Sequence, residues 1–73
     1  EVEAWIWEFG DTEGADSQNT EHRFELPGTY TVTLTVYDDQ EGFNSTSKNV
    51  FFAITYWVYI EVSKKCMIFI RII

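Results

Sequence analysis

Cysteine, histidine and proline each occur once, as Cys66, His22 and Pro27, in a chain of 73 residues. A single thiol excludes an intramolecular disulfide and leaves the redox compartment open. A single histidine leaves nothing from which to assemble a zinc site or a catalytic pair around it. G-x-S-x-G, HExxH and a phosphate loop are all missing, so the expectation is a protein that is not an enzyme. Basic residues are scarce, five against twelve acids for a net charge of -7. That balance repels phosphate backbones and excludes nucleic acid as a natural partner. The longest apolar run, Val50 to Ile60, is too short to span a bilayer. Glu1, Glu3 and Glu8 stand where a secretory leader needs a basic start and an apolar centre, so any export signal is expected outside this chain. No stretch shows a helical period.

The charge that is present is unevenly placed. Residues 1–41 hold eleven of the acids and one base, Arg23. Residues 42–73 hold Lys48, Lys64, Lys65 and Arg71 against Glu61. An acidic front of this kind suits a solvated face, a cation or a basic partner. Large side chains are plentiful, with three Trp, four Tyr and six Phe, so a core can be built from few positions. The chain is nonetheless short, and a domain of this size has a marginal core.

The clearest pattern is Thr29 to Tyr37. Tyr30, Val32, Leu34 and Val36 alternate with Thr29, Thr31, Thr33 and Thr35. A period of two with β-branched residues describes a strand with one buried and one wet face, typical of an antiparallel sheet. Pro27-Gly28 before it is a turn signal. Residues 4–9 alternate likewise, with Trp5, Trp7 and Phe9 on one face. Thr12 to Asn19 reads as a polar loop, residues 21–25 as a short extended piece, and Asp38 to Ser47 as a second polar turn region. From Lys48 the chain is apolar again. A single long strand would put Val50, Phe52, Ile54, Tyr56, Val58 and Ile60 on one face, with Phe51, Trp57 and Tyr59 on the other. Cys66 to Ile73 is a last β-prone segment. Short strands with turns about every ten residues predict an all-β sandwich or barrel.

Three blocks, in order, resemble the PKD (polycystic kidney disease) repeat family. Trp7-Glu8-Phe9-Gly10-Asp11 is similar to its W-D-F-G-D-G signature. His22-Arg23-Phe24 resembles its H-x-Y, and Pro27-Gly28-Thr29-Tyr30-Thr31-Val32-Thr33-Leu34-Thr35-Val36 resembles its P-G-x-Y-x-V-x-L-x-V strand. Asp38-Asp39-Gln40-Glu41-Gly42 is similar to its D-x-x-G turn, ahead of a Ser/Thr-rich strand from Ser45 to Val50. Glu8, Thr12 and Phe24 depart mildly from the pattern. The resemblance implies an immunoglobulin-like antiparallel β-sandwich, here incomplete at its N-terminus, because the family has two further strands before the Trp. On this reading residues 1–52 are the PKD-like core and residues 53–73 an extension outside the family pattern. Ala53 to Ile73, or a second chain through self-association at the open sheet, is then expected to supply the strands that cover the inner face.

The same resemblance sets expectations for function. Trp5, Trp7, Phe9, Tyr30, Val32, Leu34 and Val36 are the structural core, Trp7 as the Trp between the sheets and Tyr30 as the corner tyrosine. Some relatives bind calcium, and Asp38 and Asp39 match part of such a site; calcium takes six to eight oxygens, which two adjacent aspartates do not reach. Their bland role, like that of Asp11, is to bond turn backbone. Asn44-Ser45-Thr46 fits the N-glycosylation acceptor. Phe51, Trp57 and Tyr59 fit a polysaccharide platform, a protein-partner patch, or a face covered by the tail, and covering is the expectation. The implied role is a non-catalytic module of an extracellular or cell-surface protein, without a cofactor other than calcium. It would mediate protein–protein contacts or adhesion, or space other domains. The alternatives are an accessory polysaccharide-binding module of a secreted hydrolase and a truncated gene remnant with no function of its own.

Overall fold

A computed structural model describes residues 2–40, 42–54, 57–62 and 67–72. Those residues build seven strands: β1 (Val2–Glu8), β2 (Gly14–Ala15), β3 (Asn19–Arg23), β4 (Gly28–Asp38), β5 (Phe43–Phe52), β6 (Trp57–Val62) and β7 (Ile68–Ile72). They form two sheets, one ordered β2-β1-β4-β5 and the other β3-β6-β7. Every pairing is antiparallel. The protein is thus all-β, two antiparallel sheets in an immunoglobulin-like sandwich.

Strand β4 is the spine of the larger sheet. Its apolar phase turns inward, where Trp5 pairs with Val36 and Trp7 with Leu34. Trp7, Phe9, Val32, Leu34 and Val36 are buried, while Trp5 and Tyr30 pack partly buried against them. The opposite wall of the core comes from β6 and β7. Val58 and Ile60 are 0% exposed, and Val62 and Ile68 are buried beside them. Each such side chain contributes roughly 1.5–3 kcal/mol by leaving water. The second sheet therefore consists of β3 together with two strands from the C-terminal segment, which cover the inner face of the first.

An aromatic column closes one end of the sandwich. Phe9 stacks on His22 with ring centroids 4.2 Å apart, and His22 meets Phe24 edge-on at 4.6 Å. Phe24 in turn stacks on Phe52 at 5.1 Å. The Trp7 indole N–H donates to the Ser17 carbonyl at 2.8 Å, tying the loop before β3 to the core. Gly10 follows the Trp strand at φ 84°, a conformation that side chains with a Cβ adopt at a cost.

Three expectations need correction. Val50 to Ile60 is not one strand: β5 ends at Phe52, Ala53 and Ile54 form a bend, and β6 starts at Trp57 in the other sheet. Ile54, expected on the buried face, is exposed at that bend, and Tyr56 lies outside the described residues. Asp38 to Ser47 is not a turn throughout either. Pairing starts at Tyr37↔Phe43: Phe43, Ser45 and Ser47 lie in register with Tyr37, Thr35 and Thr33, while Asn44 and Thr46 fall opposite Val36 and Leu34. Asn44 therefore stands in an edge strand opposite Val36, not in a turn, although it is exposed. Finally, Thr12 to Asn19 contains the short strand β2, paired with Trp7 and Glu8.

Candidate binding surface

The alternation that buries Val32, Leu34 and Val36 sends Thr29, Thr31, Thr33, Thr35 and Tyr37 to the outer face of the larger sheet. Register places Phe51, Asn49, Ser47, Ser45 and Phe43 beside them on β5, in that order. On the other flank Glu8 lies opposite Thr33 and Ile6 opposite Thr35. The row is held by side-chain bonds. The Thr31 hydroxyl donates to Asn49 Oδ1 at 2.8 Å, and the Thr35 and Ser45 hydroxyls lie 3.0 Å apart. Aromatic rings stand at both ends. Tyr37 and Phe43 sit with ring centroids 6.0 Å apart, Phe43 being 68% exposed. Phe51 is 71% exposed at the far end. At the usual strand rise of about 3.4 Å per residue, Phe43 and Phe51 are roughly 27 Å apart. Glu8 carries the one charge on this face among the residues named, in a chain of net charge -7. The surface is hydroxyl-rich and almost neutral.

The outer face of the smaller sheet differs in character. Register aligns Glu21, Tyr59 and Arg71 in one row, and Arg23 with Trp57 in the next. The Arg71 guanidinium lies 5.0 Å from the centre of the Tyr59 ring, a cation–π contact. Phe51, Trp57 and Tyr59, expected on one face, are thus divided between two sheets. Trp57 and Phe51 are exposed and Tyr59 is half-buried. Among the described residues of the C-terminal segment Arg71 lies over Tyr59, while the Phe51 and Trp57 rings are left exposed. They form no single platform.

Asp38 is occupied by its turn. Its Oδ1 accepts the Gly42 amide at 2.8 Å and the Gln40 amide at 2.9 Å, and its own N–H donates to the Gly42 carbonyl at 3.0 Å. The Gly42 bond first, then the Gln40 bond, hold the Asp38 carboxyl below its ordinary value. Asp39 is exposed beside it. Among the described residues no three His, Cys, Asp or Glu side chains are grouped closely enough to hold a metal ion. The Tyr30 hydroxyl donates to the Leu26 carbonyl, pinning the Pro27-Gly28 turn.

Asp11 joins two regions. Its Oδ1 accepts the Glu13 amide at 3.1 Å, and its Oδ2 lies 2.7 Å from His22 Nε2. An open groove of about 340 Å³, lined in part by His22, Glu13, Glu21, Glu25 and Trp57, lies alongside. Tyr37 and Phe43 were not anticipated as a surface pair. Tyr37 was within reach of the sequence, since it continues the odd-numbered Thr phase of β4. Phe43 depends on the exact hairpin register, which the turn around Asp38 sets.

Among the described residues no helix is long and apolar enough to cross a membrane. Comparison with known proteins gives a consistent picture. The chain is 38% identical over 50 residues to Collagenase ColA of Clostridium perfringens (strain 13 / Type A), an alignment covering 68% of this chain and 4% of that protein. The chain thus corresponds to a small piece of a far longer relative. No solved structure gives a significant match. The family model described as PKD domain matches residues 1–53, which contain the Trp strand, the His22 segment and the β4–β5 hairpin. The chain belongs to the PKD domain family.

Proposed function

We propose that this PKD domain is a non-catalytic accessory module of an extracellular protein, and that the outer face of its larger sheet rests against an uncharged polymer surface. One observation carries the reading: the row of Thr29, Thr31, Thr33 and Thr35 with Asn49, Ser47 and Ser45 is exposed or half-exposed, nearly free of charge and bracketed by Tyr37–Phe43 and Phe51. Hydroxyls and amides donate and accept without a charge requirement, and rings at the two ends supply apolar contact area. A charged ligand finds little to pair with there. Similarity to a domain-sized piece of a protein named a collagenase supports placement beside a hydrolase, with fibrous protein or polysaccharide as the polymer. Adhesion to a protein partner or spacing of neighbouring domains is the second reading, favoured by the charged rows of the smaller sheet.

The test is co-sedimentation of the chain with insoluble collagen, cellulose and chitin. Binding to one of them should weaken about tenfold, or about 1.4 kcal/mol, when Phe43 is replaced by Ala. Replacing Trp57 by Ala should leave it unchanged. Failure to bind any of the three, or binding that follows Trp57 instead, overturns the assignment to the larger sheet.

A further inference from the structure

The fold uses one ring nitrogen of His22 and leaves the other. Nε2 lies 2.7 Å from Oδ2 of Asp11. A carboxylate only accepts, so Nε2 carries the hydrogen, and in the neutral ring Nδ1 keeps a bare lone pair. Among the described residues Nδ1 has no hydrogen-bond partner. His22 is nonetheless only 7% exposed. Phe9 stacks on the ring and Phe24 meets it edge-on, so the direction of the lone pair is fixed. Every fully buried side-chain nitrogen or oxygen among the described residues is bonded, so Nδ1 is not sealed from outside. The groove of about 340 Å³ that His22 lines is its opening.

That groove runs between two sheet edges, with Gly14 of β2 on one side and Thr20 to Arg23 of β3 on the other. Glu13, Glu21 and Glu25 line it and are exposed, and Trp57, 56% exposed, stands in its wall. Arg23 is the one base in the lining, and it has an interaction of its own. Carboxylates alone would be a solvated rim. The buried lone pair behind them is different, because it calls for a donor that the fold does not supply. An anion would meet the carboxylates, and an apolar group would leave Nδ1 uncovered. A cation with N–H donors on an apolar stem answers each feature: an N–H for Nδ1, positive charge for the carboxylates, and contact with the face of Trp57. A volume of about 340 Å³ is at the small end of ligand sites, roughly 300–1,000 Å³, and takes one side chain.

We propose that the groove beside His22 seats the head of an arginine or lysine side chain from a protein partner. His22 is the fixed acceptor, Glu13, Glu21 and Glu25 hold the charge, and the Trp57 ring lies against the guanidinium or the ammonium stem. Asp11 acts through His22: by holding the hydrogen on Nε2 it keeps Nδ1 an acceptor. Charge agrees over a longer range, since residues 1–41 hold eleven of the twelve acids and draw a basic partner to this half of the chain. The Thr row of β4 and Phe43 lie on the outer face of the other sheet, so failure here leaves the polymer-binding reading intact.

Amide and ring-nitrogen NMR of the full chain, in mildly alkaline buffer at low salt, reads the site directly. The probes are the blocked tripeptides Gly-Arg-Gly, Gly-Lys-Gly and Gly-citrulline-Gly, the last with an uncharged urea in place of the guanidinium, each added to about 10 mM. The expected result is millimolar binding of the basic peptides, with shifts at Gly14, Glu21 and the His22 ring. The citrulline peptide should bind about tenfold more weakly or worse. The Nδ1 resonance should leave its lone-pair position as it accepts the N–H. Trp57→Ala, and Glu21→Gln combined with Glu25→Gln, should each weaken binding about three- to fivefold, whereas Phe43→Ala should not. If Trp57→Ala loses its dispersed amide spectrum, Trp57→Leu takes its place, keeping apolar bulk without the ring. The inference is overturned if neither basic peptide binds, or if the citrulline peptide binds as tightly. A static Nδ1 resonance, or binding indifferent to both groove variants, overturns it equally.

Discussion

Nε2 of His22 lies 2.7 Å from Oδ2 of Asp11, with the two side chains 8% and 14% exposed. The pair joins the loop after β1 to strand β3, and the imidazole is itself stacked on Phe9. Asp11→Ala leaves a buried ring nitrogen without its partner and releases the Glu13 amide. The expected loss is about 1–3 kcal/mol in urea unfolding. Combining Asp11→Ala with His22→Phe removes both polar partners and should recover part of that loss. A double variant that simply adds the two single losses would show the pair is not coupled.

Gly10 tests the turn that leads out of the Trp strand. A Cβ built there stands 2.8 Å from the Thr31 backbone oxygen, in addition to the strain of φ +84°. Gly28 also has a positive φ, +148°, yet a Cβ there meets nothing within 4 Å. Gly10→Ala should therefore cost more than Gly28→Ala, by at least about 1 kcal/mol, since backbone oxygen yields little. Equal urea midpoints for the two variants would contradict the close approach of Gly10 to β4.

How much of this could be read beforehand depended on where the periodicity was clean. In β4 one phase is apolar and the other is threonine, so its faces, its burial and the inward direction of Trp5 and Trp7 all follow from parity. The same rule failed at Val50 to Ile60, where both phases are bulky and no Gly or Pro marks the bend at Ala53 and Ile54. Phe51 and Trp57 share parity in a continuous strand, but the chain changes sheets between them. Tertiary pairings such as Asp11 with His22 leave no local signal, because the two residues meet only when β3 folds against the loop after β1.

Asp38 links the turn to pH. Its carboxylate accepts the Gly42 and Gln40 amides, and those bonds hold its folded-state pKa below the ordinary value of 3.8. A group depressed in this way stabilises the fold above its unfolded value, and the contribution disappears as pH falls through the folded value. Asp38→Asn keeps an acceptor oxygen but loses the charge. It should lower the urea midpoint at neutral pH, modestly because the site is exposed, and the gap to wild type should close well below pH 3.8. A gap that persists unchanged in acid would mean the variant acts through something other than the carboxylate charge.

The smaller sheet decides whether residues 1–53 stand alone. Ile60 is 0% exposed and sits between Thr20 of β3 and Ile70 of β7. Ile60→Ala should cost about 2–5 kcal/mol, a large part of the roughly 5–15 kcal/mol available to a small domain. Ending the chain at residue 53 removes β6 and β7 together and uncovers Trp7, Phe24, Val32 and Leu34 from one side. That shortened chain should show no cooperative urea transition, and its tryptophan near-UV circular dichroism should be lost. A sigmoidal transition with the tryptophan signal retained would mean that β1 to β5 bury enough apolar surface among themselves. The two C-terminal strands would then be an addition to the PKD fold and not the wall its core requires.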